Sequence, residues 1–174
     1  MPLKVLGDKP LYLETGSEVH RYLDALFTQG LPLKSFANID FQVVEDVSAD
    51  RIAHKDMSVP DNVLSIGVDY SSGYGGLLWY CDGRLVDRVA AAVGADVASY
   101  VWVSLNPTPP ESDPKVLSDP SCPSFFDRIS ALPVPAVRST VEEFFHEGTG
   151  FRPTQIQWAK GNFTGELCVE EDEA

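Results

Sequence analysis

The histidines are the residues of this chain whose type most readily supports metal or acid–base chemistry. His20, His54 and His146 lie far apart in the sequence and form neither H-x-x-x-H nor H-E-x-x-H, the spacings that place zinc ligands on one helical face. Glu142 and His146 are four residues apart and could pair on a helix, although such a pair also forms as a solvated contact of little energetic weight. The sequence therefore predicts no metal site.

Nucleophilic catalysis finds no clearer support. The three cysteines, Cys81, Cys122 and Cys168, are spaced neither as a zinc half-site nor as a disulfide framework, and no G-x-S-x-G motif is present. Gly-Tyr-Gly-Gly at 73–76 lacks the full pattern of a phosphate-binding loop, so a hairpin turn is expected there. We expect no catalytic residue and no cofactor. An enzyme with an unrecognised acidic site is kept as an alternative.

The charge balance limits the partners of the chain. It has 26 acidic and 13 basic residues, a net charge of −13, which argues against direct binding to nucleic acid or to an anionic membrane. No apolar stretch is long enough to span a membrane and the N-terminus has no leader pattern, so a cytoplasmic location is expected. The acidity fits either an ordinary solvated surface or a surface that attracts a basic protein.

Two amphipathic helices and several short strands must position any functional residue. Ser17 is a predicted N-cap, apolar residues follow it at helical spacing, and Gly30 ends the run. Pro133 and Pro135 open a second helix, which stops at Gly148. The predicted strands are 11–13, 39–43, 63–68, 77–80, 85–86, 99–105 and 154–158.

Three segments are harder to assign. Residues 46–55 are polar and irregular, with a short helical turn as one option. Residues 88–97 are ambiguous, because their alanines favour a helix whereas a glycine and several valines weaken it. Residues 106–123 are rich in proline, which predicts a long surface excursion whose far end is pinned to the core by Phe125 and Phe126.

The order of these elements predicts the fold class. Strands grouped in the middle with a helix near each end favour a single α+β domain over residues 1–165, built on a central antiparallel sheet. The acidic residues from 166 to 174 are expected to form a flexible tail. Trp79, Trp102 and Trp158 lie in strand-like surroundings and are expected in the core.

The last helix and the turn after it have the most specific pattern in the chain. Pro-Val-Pro at 133–135 leads into Glu-Glu-Phe-Phe at 142–145, and a G-x-R-P-T-x-x-x-W pattern runs from Gly150 to Trp158. Leu-Ser-Ile-Gly-Val at 64–68, followed by Leu-Leu-Trp-Tyr at 77–80, adds a weaker signal. Together these segments resemble immunity protein family one of bacterial polymorphic toxin systems.

The resemblance implies a function by binding. Such proteins are small α+β antitoxins that dock on a co-encoded toxin domain, often a nucleic-acid deaminase, and cover its active site. The implied partner is a cognate toxin with a basic nucleic-acid-binding cleft, which an acidic protein could fill. Arg152, Pro153 and Trp158 match the family pattern and are expected to hold the corner between helix and strand. A small adaptor, a structural interaction protein or a homo-oligomer subunit remains the alternative.

Turns and the proline-rich loop supply the candidate contacts with a toxin. Exposed aromatic residues beside carboxylates suit a protein interface, and both types occur at the glycine turn. The predicted toxin-binding residues are Asp69, Tyr70, Tyr74, Asp82, Glu111, Asp113 and Asp119.

Overall fold

A computed structural model of the chain describes residues 1–6, 9–28, 36–55 and 60–168. Helices and short strands follow one another in mixed order within these residues. The strands are β1 (Leu3–Val5), β2 (Leu11–Leu13), β3 (Phe36–Val43), β4 (Asn62–Asp69), β5 (Tyr74–Cys81), β6 (Val101–Leu105), β7 (Leu117–Asp119), β8 (Ser124–Phe125), β9 (Leu132–Pro133) and β10 (Gln157–Gly161). The helices are α1 (Gly16–Thr28), α2 (Val47–Lys55), α3 (Arg84–Val93), α4 (Ala95–Ser99) and α5 (Val134–Glu147), with a 3-10 turn at Arg128–Ser130.

Eight of these strands form one sheet in the order β10-β6-β5-β4-β3-β1-β2, with β9 paired to β5. Every pairing is antiparallel. β7 and β8 form a separate two-stranded ladder. The predicted α+β fold with a central antiparallel sheet is confirmed, and α2, α3 and α4 add to the two helices expected near the ends.

Side chains alternate between the two faces of the sheet, as the period of a strand requires. On the first face, Leu77 and Trp79 belong to a large hydrophobic cluster that also contains buried residues of α1, α3, α4 and α5. On the second face, Leu78 belongs to a smaller cluster, whose other buried members are Val103, Val116, Phe126 and Ala131. The first face is therefore covered by α1, α3, α4 and α5, and residues 116–131 cover part of the second.

The two predicted helices are present, but the first has a different cap. Thr15, not Ser17, closes the start of α1: its Oγ1 accepts a hydrogen bond from the Glu18 N–H at 3.3 Å, and the Glu18 carboxylate accepts one from the Thr15 N–H at 2.9 Å. This reciprocal pair is a capping box. α5 begins after Pro133 and ends at Gly148, whose φ of 60° places it in the left-handed region, as the sequence predicts.

The predicted third strand at Leu85–Val86 is wrong, because these residues begin α3. Leu85 and Val89 are spaced for one helical face and are both buried in the first-face cluster. The ambiguous segment 88–97 forms the rest of α3 and the start of α4, separated at Gly94 with a φ of 108°. Residues 47–55 form the helix α2, where only a turn was an option.

The proline-rich segment is more than a surface loop. Val116 is fully buried against the second face, and β7 follows it. Phe126 anchors the segment as expected, with 3% of its surface exposed, whereas Phe125 is 42% exposed and does not. The expected burial in the core is confirmed for Trp79, whereas Trp102 and Trp158 are half-buried and pack against the first-face cluster.

Some expectations concern residues that the structure does not describe. Gly30, predicted to end the first helix, lies outside the described residues, as do residues 169–174 of the predicted tail. Residues 166–168 are described: the Leu167 N–H donates to Asp127 Oδ2 at 2.8 Å, and the Cys168 N–H donates to the Lys160 carbonyl at 2.9 Å. Among the described helices, none is both long and apolar enough to cross a membrane.

Candidate functional site

Three of the predicted binding residues lie at the turn between β4 and β5. Asp69 and Tyr74 are register partners at the ends of these strands, and Tyr70 follows Asp69. The expectation that both tyrosines are exposed is wrong, because both are half-buried. Tyr70 packs against the first-face cluster, where burial raises the pKa of its hydroxyl, and Tyr74 packs against the second-face cluster.

The excursion, defined here as residues 106–127, folds over the same end of the sheet. The backbone of Leu117 lies directly over Gly67, and the ring of Phe126 lies over Gly76, where an added Cβ would approach ring carbons to 2.5 Å. Both glycines allow this close approach because they have no side chain. The structure thus packs the excursion, through Leu117 and Phe126, on the part of β4 and β5 that adjoins their hairpin.

Three of the predicted carboxylates also shape their own turns. Each accepts a hydrogen bond from the backbone N–H two residues later: Asp69 from Ser71 at 2.9 Å, Asp113 from Lys115 at 2.9 Å, and Asp119 from Ser121 at 2.8 Å. Such Asx turns fix short loops without other support. These carboxylates are therefore structural in part, and they are held in defined positions at the surface.

Local hydrogen bonds lower the pKa of each of these three carboxylates. At Asp69, partial burial favours the neutral acid, but hydrogen bonds from Ser71 and Ser72 outweigh it and hold the pKa below its usual value. Hydrogen bonds from Lys115 lower the pKa of Asp113. Hydrogen bonds from the side chain and backbone of Ser121 lower the pKa of Asp119.

Near Asp113, the excursion and the C-terminal segment enclose a shallow acidic depression of about 340 Å³. Lys115 lies in it and pairs with Asp113 at 2.8 Å. Asp127 and Glu166 line it as well, and the sequence reasoning missed both residues as candidates. Only the fold joins these separated segments, so no local signal could have grouped them. Glu111 is exposed nearby, next to Pro110, whose carbonyl accepts a hydrogen bond from Arg128.

Asp82 lies apart from the other predicted residues. It follows β5 at the end opposite Tyr74, about 25 Å away for eight residues of extended chain. The structure instead places Asp82 close enough to Tyr80 for its charge to act on the tyrosine hydroxyl, as the charge of Asp40 also does. Burial, followed by the charges of Asp40 and Asp82, raises the pKa of Tyr80. Neither carboxylate forms an ion pair in the part of the chain that the structure describes.

A turn at residues 162–166 lies between the two acidic regions just described, the excursion with its depression near Asp113 and the surroundings of Asp82. Ser118 of the excursion contacts one side of this turn, because its hydroxyl donates a hydrogen bond to the Thr164 carbonyl. On its other side, the ring of Phe163 meets the ring of Tyr80 edge-on with centroids 5.0 Å apart. We call the surface made by the excursion, this turn, Asp40, Asp69 and Asp82 the acidic face; Asp69 belongs to it as the register partner of Tyr74. The acidic face lies on the second face of the sheet.

A second and larger cavity lies elsewhere, at the corner between α5 and β10, and has a volume of about 650 Å³. The segment 150–158, which supports the family resemblance, forms much of its wall. Trp158 Nε1 donates to the Pro153 carbonyl at 2.8 Å, and Trp79 Nε1 donates to the Gly150 carbonyl at 3.1 Å. These bonds close the corner, which is the structural role expected for Pro153 and Trp158.

Glu143 and Arg152 complete this corner. The Glu143 carboxylate accepts hydrogen bonds from the Thr154 N–H and hydroxyl and from the Gln155 N–H, at 2.7 to 3.1 Å. These contacts explain why β10 begins at Gln157 rather than at the predicted Thr154. Arg152 stacks on Trp102 with its guanidinium carbon 4.0 Å from the ring centre, and burial lowers the pKa of Arg152.

Cys81 and the histidines of the two long helices have defined surroundings. Burial, with the charges of Asp82 and Asp61, raises the pKa of Cys81 to about 11, so its thiol stays protonated near neutral pH. The rings of His20 and His146, distant in sequence, have centroids 5.8 Å apart, and Glu142 pairs with Arg138 rather than with His146. Among the described residues, no group of three or more histidine, cysteine or acidic side chains could hold a metal ion.

Comparison with known proteins gives one match. The family model described as Immunity protein Imm1 matches residues 7–160, which include every predicted binding residue and the corner. Comparison with curated proteins found no match. Comparison with solved structures found none either.

Proposed function

We propose that this chain, which belongs to the Imm1 family of immunity proteins, binds one cognate toxin domain and inhibits it by covering the toxin's active site. Immunity proteins act against toxins. The proposed toxin acts on nucleic acid, as a deaminase, and the complex forms in the cytoplasm. The immunity protein performs no chemistry of its own. The observation on which the proposal rests is the family match over residues 7–160.

The charge of the chain supports the choice of target. An enzyme that binds nucleic acid needs a basic cleft to hold phosphates. A protein with a net charge of −13 is attracted to such a cleft, and its carboxylates can occupy the positions of phosphates. Opposite charges also accelerate association, which suits an inhibitor that must act before its toxin causes damage.

The geometry of the acidic face also supports binding to a basic cleft. Asp69, Asp113 and Asp119 are held by hydrogen bonds in fixed positions and stay ionised, so no loop has to be ordered when a partner binds. Tyr74, at the hairpin end of β5, and the exposed Glu111 of the excursion also belong to the proposed interface. Asp82 belongs to the other end of the same face.

The experiment that tests the proposal uses the product of the adjacent gene. We expect that product to be toxic when expressed alone, to form a one-to-one complex with this protein, and to lose deaminase activity on DNA or RNA in the complex. A complex in which the deaminase stays active contradicts occlusion of the active site. A neighbouring product that is harmless and does not bind favours the adaptor alternative.

Charge variants test the role of the acidic face. Replacing Asp69, Asp113 and Asp119 with asparagine keeps an oxygen for each Asx turn but removes the charge. One charge about 8 Å from a cation contributes about 0.5 kcal/mol in water, or roughly twofold. We therefore expect association of the triple variant to slow about eightfold at low salt and to approach the wild-type rate at high salt.

Asp87→Asn provides the control, because Asp87 is exposed on α3, which packs on the first face. Its effect on the association rate should be smaller than the mean effect of one substitution in the triple variant. Stopped-flow fluorescence over a range of salt concentrations measures both. If Asp87→Asn slows association as much as each substitution in the triple variant does, only the net charge determines the rate and the position of the acidic face does not.

A further inference from the structure

Phe163 is an apolar side chain that the fold leaves in solvent. It is 68% exposed, more than the other exposed large apolar residues of the described chain, such as Val93 at 55% and Met1 at 51%. A single exposed apolar residue is common in soluble proteins. What distinguishes Phe163 is how rigidly it is held and what surrounds it.

The turn that presents Phe163 is fixed by a network of hydrogen bonds. Asn162 Oδ1 accepts from the Thr164 N–H at 3.0 Å, the Gly165 N–H donates to the Asn162 carbonyl at 3.0 Å, and the Asn162 N–H donates to the Glu166 carbonyl at 3.0 Å. The Phe163 ring itself meets the Tyr80 ring edge-on. Little conformational entropy is left to lose when such a side chain binds a partner.

Phe163 also lies between the two acidic regions of the second face. The excursion, with Asp119, adjoins one side of its turn through the contact of Ser118 with Thr164. Tyr80, with Asp40 and Asp82 close to it, adjoins the other side. An exposed aromatic residue surrounded by carboxylates has the composition of a binding hot spot with a charged rim.

We propose that Phe163 is the central anchor of the contact with the toxin: its ring enters an apolar pocket on the toxin whose rim is basic, and the carboxylates of the acidic face pair with that rim. The negative charge on both sides of Phe163 determines the sign of the partner's rim. This inference rests on the proposed function. Phe163 lies just beyond residues 7–160, which the family model matches.

The test compares Phe163→Ala and Phe163→Leu with wild-type full-length protein in binding to the purified toxin domain. We expect affinity to fall at least about thirtyfold for Phe163→Ala, and less for Phe163→Leu, because leucine keeps part of the apolar contact. The loss should appear mainly as faster dissociation and should not depend on salt, unlike the effect of the charge variants. Surface plasmon resonance separates the two rate constants.

Tyr100→Ala is the matched control. Tyr100 is also a large exposed side chain, at 42%, but its ring contacts Lys160, the register partner of Trp102, which packs on the first face of the sheet. Its removal should change affinity less than about threefold. If the wild-type protein binds the toxin and Phe163→Ala binds it equally well, the anchor is overturned and the proposed function stands. The same conclusion follows if Tyr100→Ala loses as much affinity as Phe163→Ala. Failure of the wild-type protein to bind or inhibit the toxin overturns the proposed function itself. Thermal unfolding of each variant confirms that binding is compared between folded proteins.

Discussion

Replacing Gly76 with alanine would place a methyl group against the ring that holds the excursion on the sheet. The new Cβ would lie 2.5 Å from Cγ and Cδ2 of Phe126 and 2.8 Å from its Cδ1. Carbon atoms in ordinary contact are about 3.5 to 4.0 Å apart, so the ring or the strand must move by about 1 Å. Gly76 is absent from the glycines with positive φ, so the cost comes from the clash alone.

The magnitude follows from what such overpacking costs. Inserting a methyl group into a tightly packed site destabilises a protein by about 1 to 3 kcal/mol. For a domain of this size each kcal/mol lowers the melting temperature by about 2 to 4 °C, so we expect a fall of about 2 to 12 °C. Phe126→Ala alone should cost about 3 to 5 kcal/mol, because it leaves a cavity under the excursion.

A double-mutant cycle isolates the clash. In the Phe126→Ala background the ring is gone, so Gly76→Ala should cost almost nothing, and the two substitutions should be less than additive by about 1 to 3 kcal/mol. Urea unfolding followed by tryptophan fluorescence gives the free energies. Hydrogen exchange should show residues 116–126 less protected in Gly76→Ala. Additive free energies, or a Gly76→Ala variant as stable as wild type, would refute the packing of Phe126 on Gly76.

Two further predictions concern titrating side chains. Burial, with a hydrogen bond to Asp50, raises the pKa of Tyr12 to about 12, above its usual 10. The protonated Tyr12 hydroxyl therefore contributes fully to stability below pH 10, and this contribution is lost as the pH rises to 12. In urea unfolding, the free energy of unfolding should fall more steeply between pH 10 and 12 for wild type than for Tyr12→Phe. At Cys81, a pKa of about 11 leaves roughly one thiolate in a thousand at pH 8. Iodoacetamide should alkylate exposed Cys122 much faster by mass spectrometry, and equal rates would contradict the burial of Cys81.

The parts of the fold that the sequence predicted well have local causes. α5 was predicted from a proline at its start, apolar residues on one face and a glycine at its end, and each signal acts within a few residues. α3 was missed because Asp82-Gly83 is typical of a hairpin turn, and a short apolar run after it favours a returning strand. The helical spacing of Leu85 and Val89 was the signal that could have indicated a helix. The first-face cluster decides between helix and strand, because both residues are buried in it.

The candidate site shows the same division. Asp69, Asp113 and Asp119 could be predicted as surface carboxylates because residue type and turn position determine their exposure. The neighbourhood of Phe163 could not, because sheet register creates it. Asp40 pairs with Ser65, which pairs with Leu78 two residues before Tyr80, and these partners are distant in sequence. Non-local pairing of this kind has no signature in a single sequence.

The place of β10 at the outer edge of the sheet affects how the chain is synthesised. β6 pairs with β5 on one side and with β10 on the other, and β10 leaves the ribosome after every other strand that the structure describes. Until Gln157–Gly161 emerges, the outer backbone groups of β6 have no partner, and a neighbouring nascent chain can pair with them. A message broken before this point would therefore yield a product prone to aggregation, even though most of the sheet is already complete.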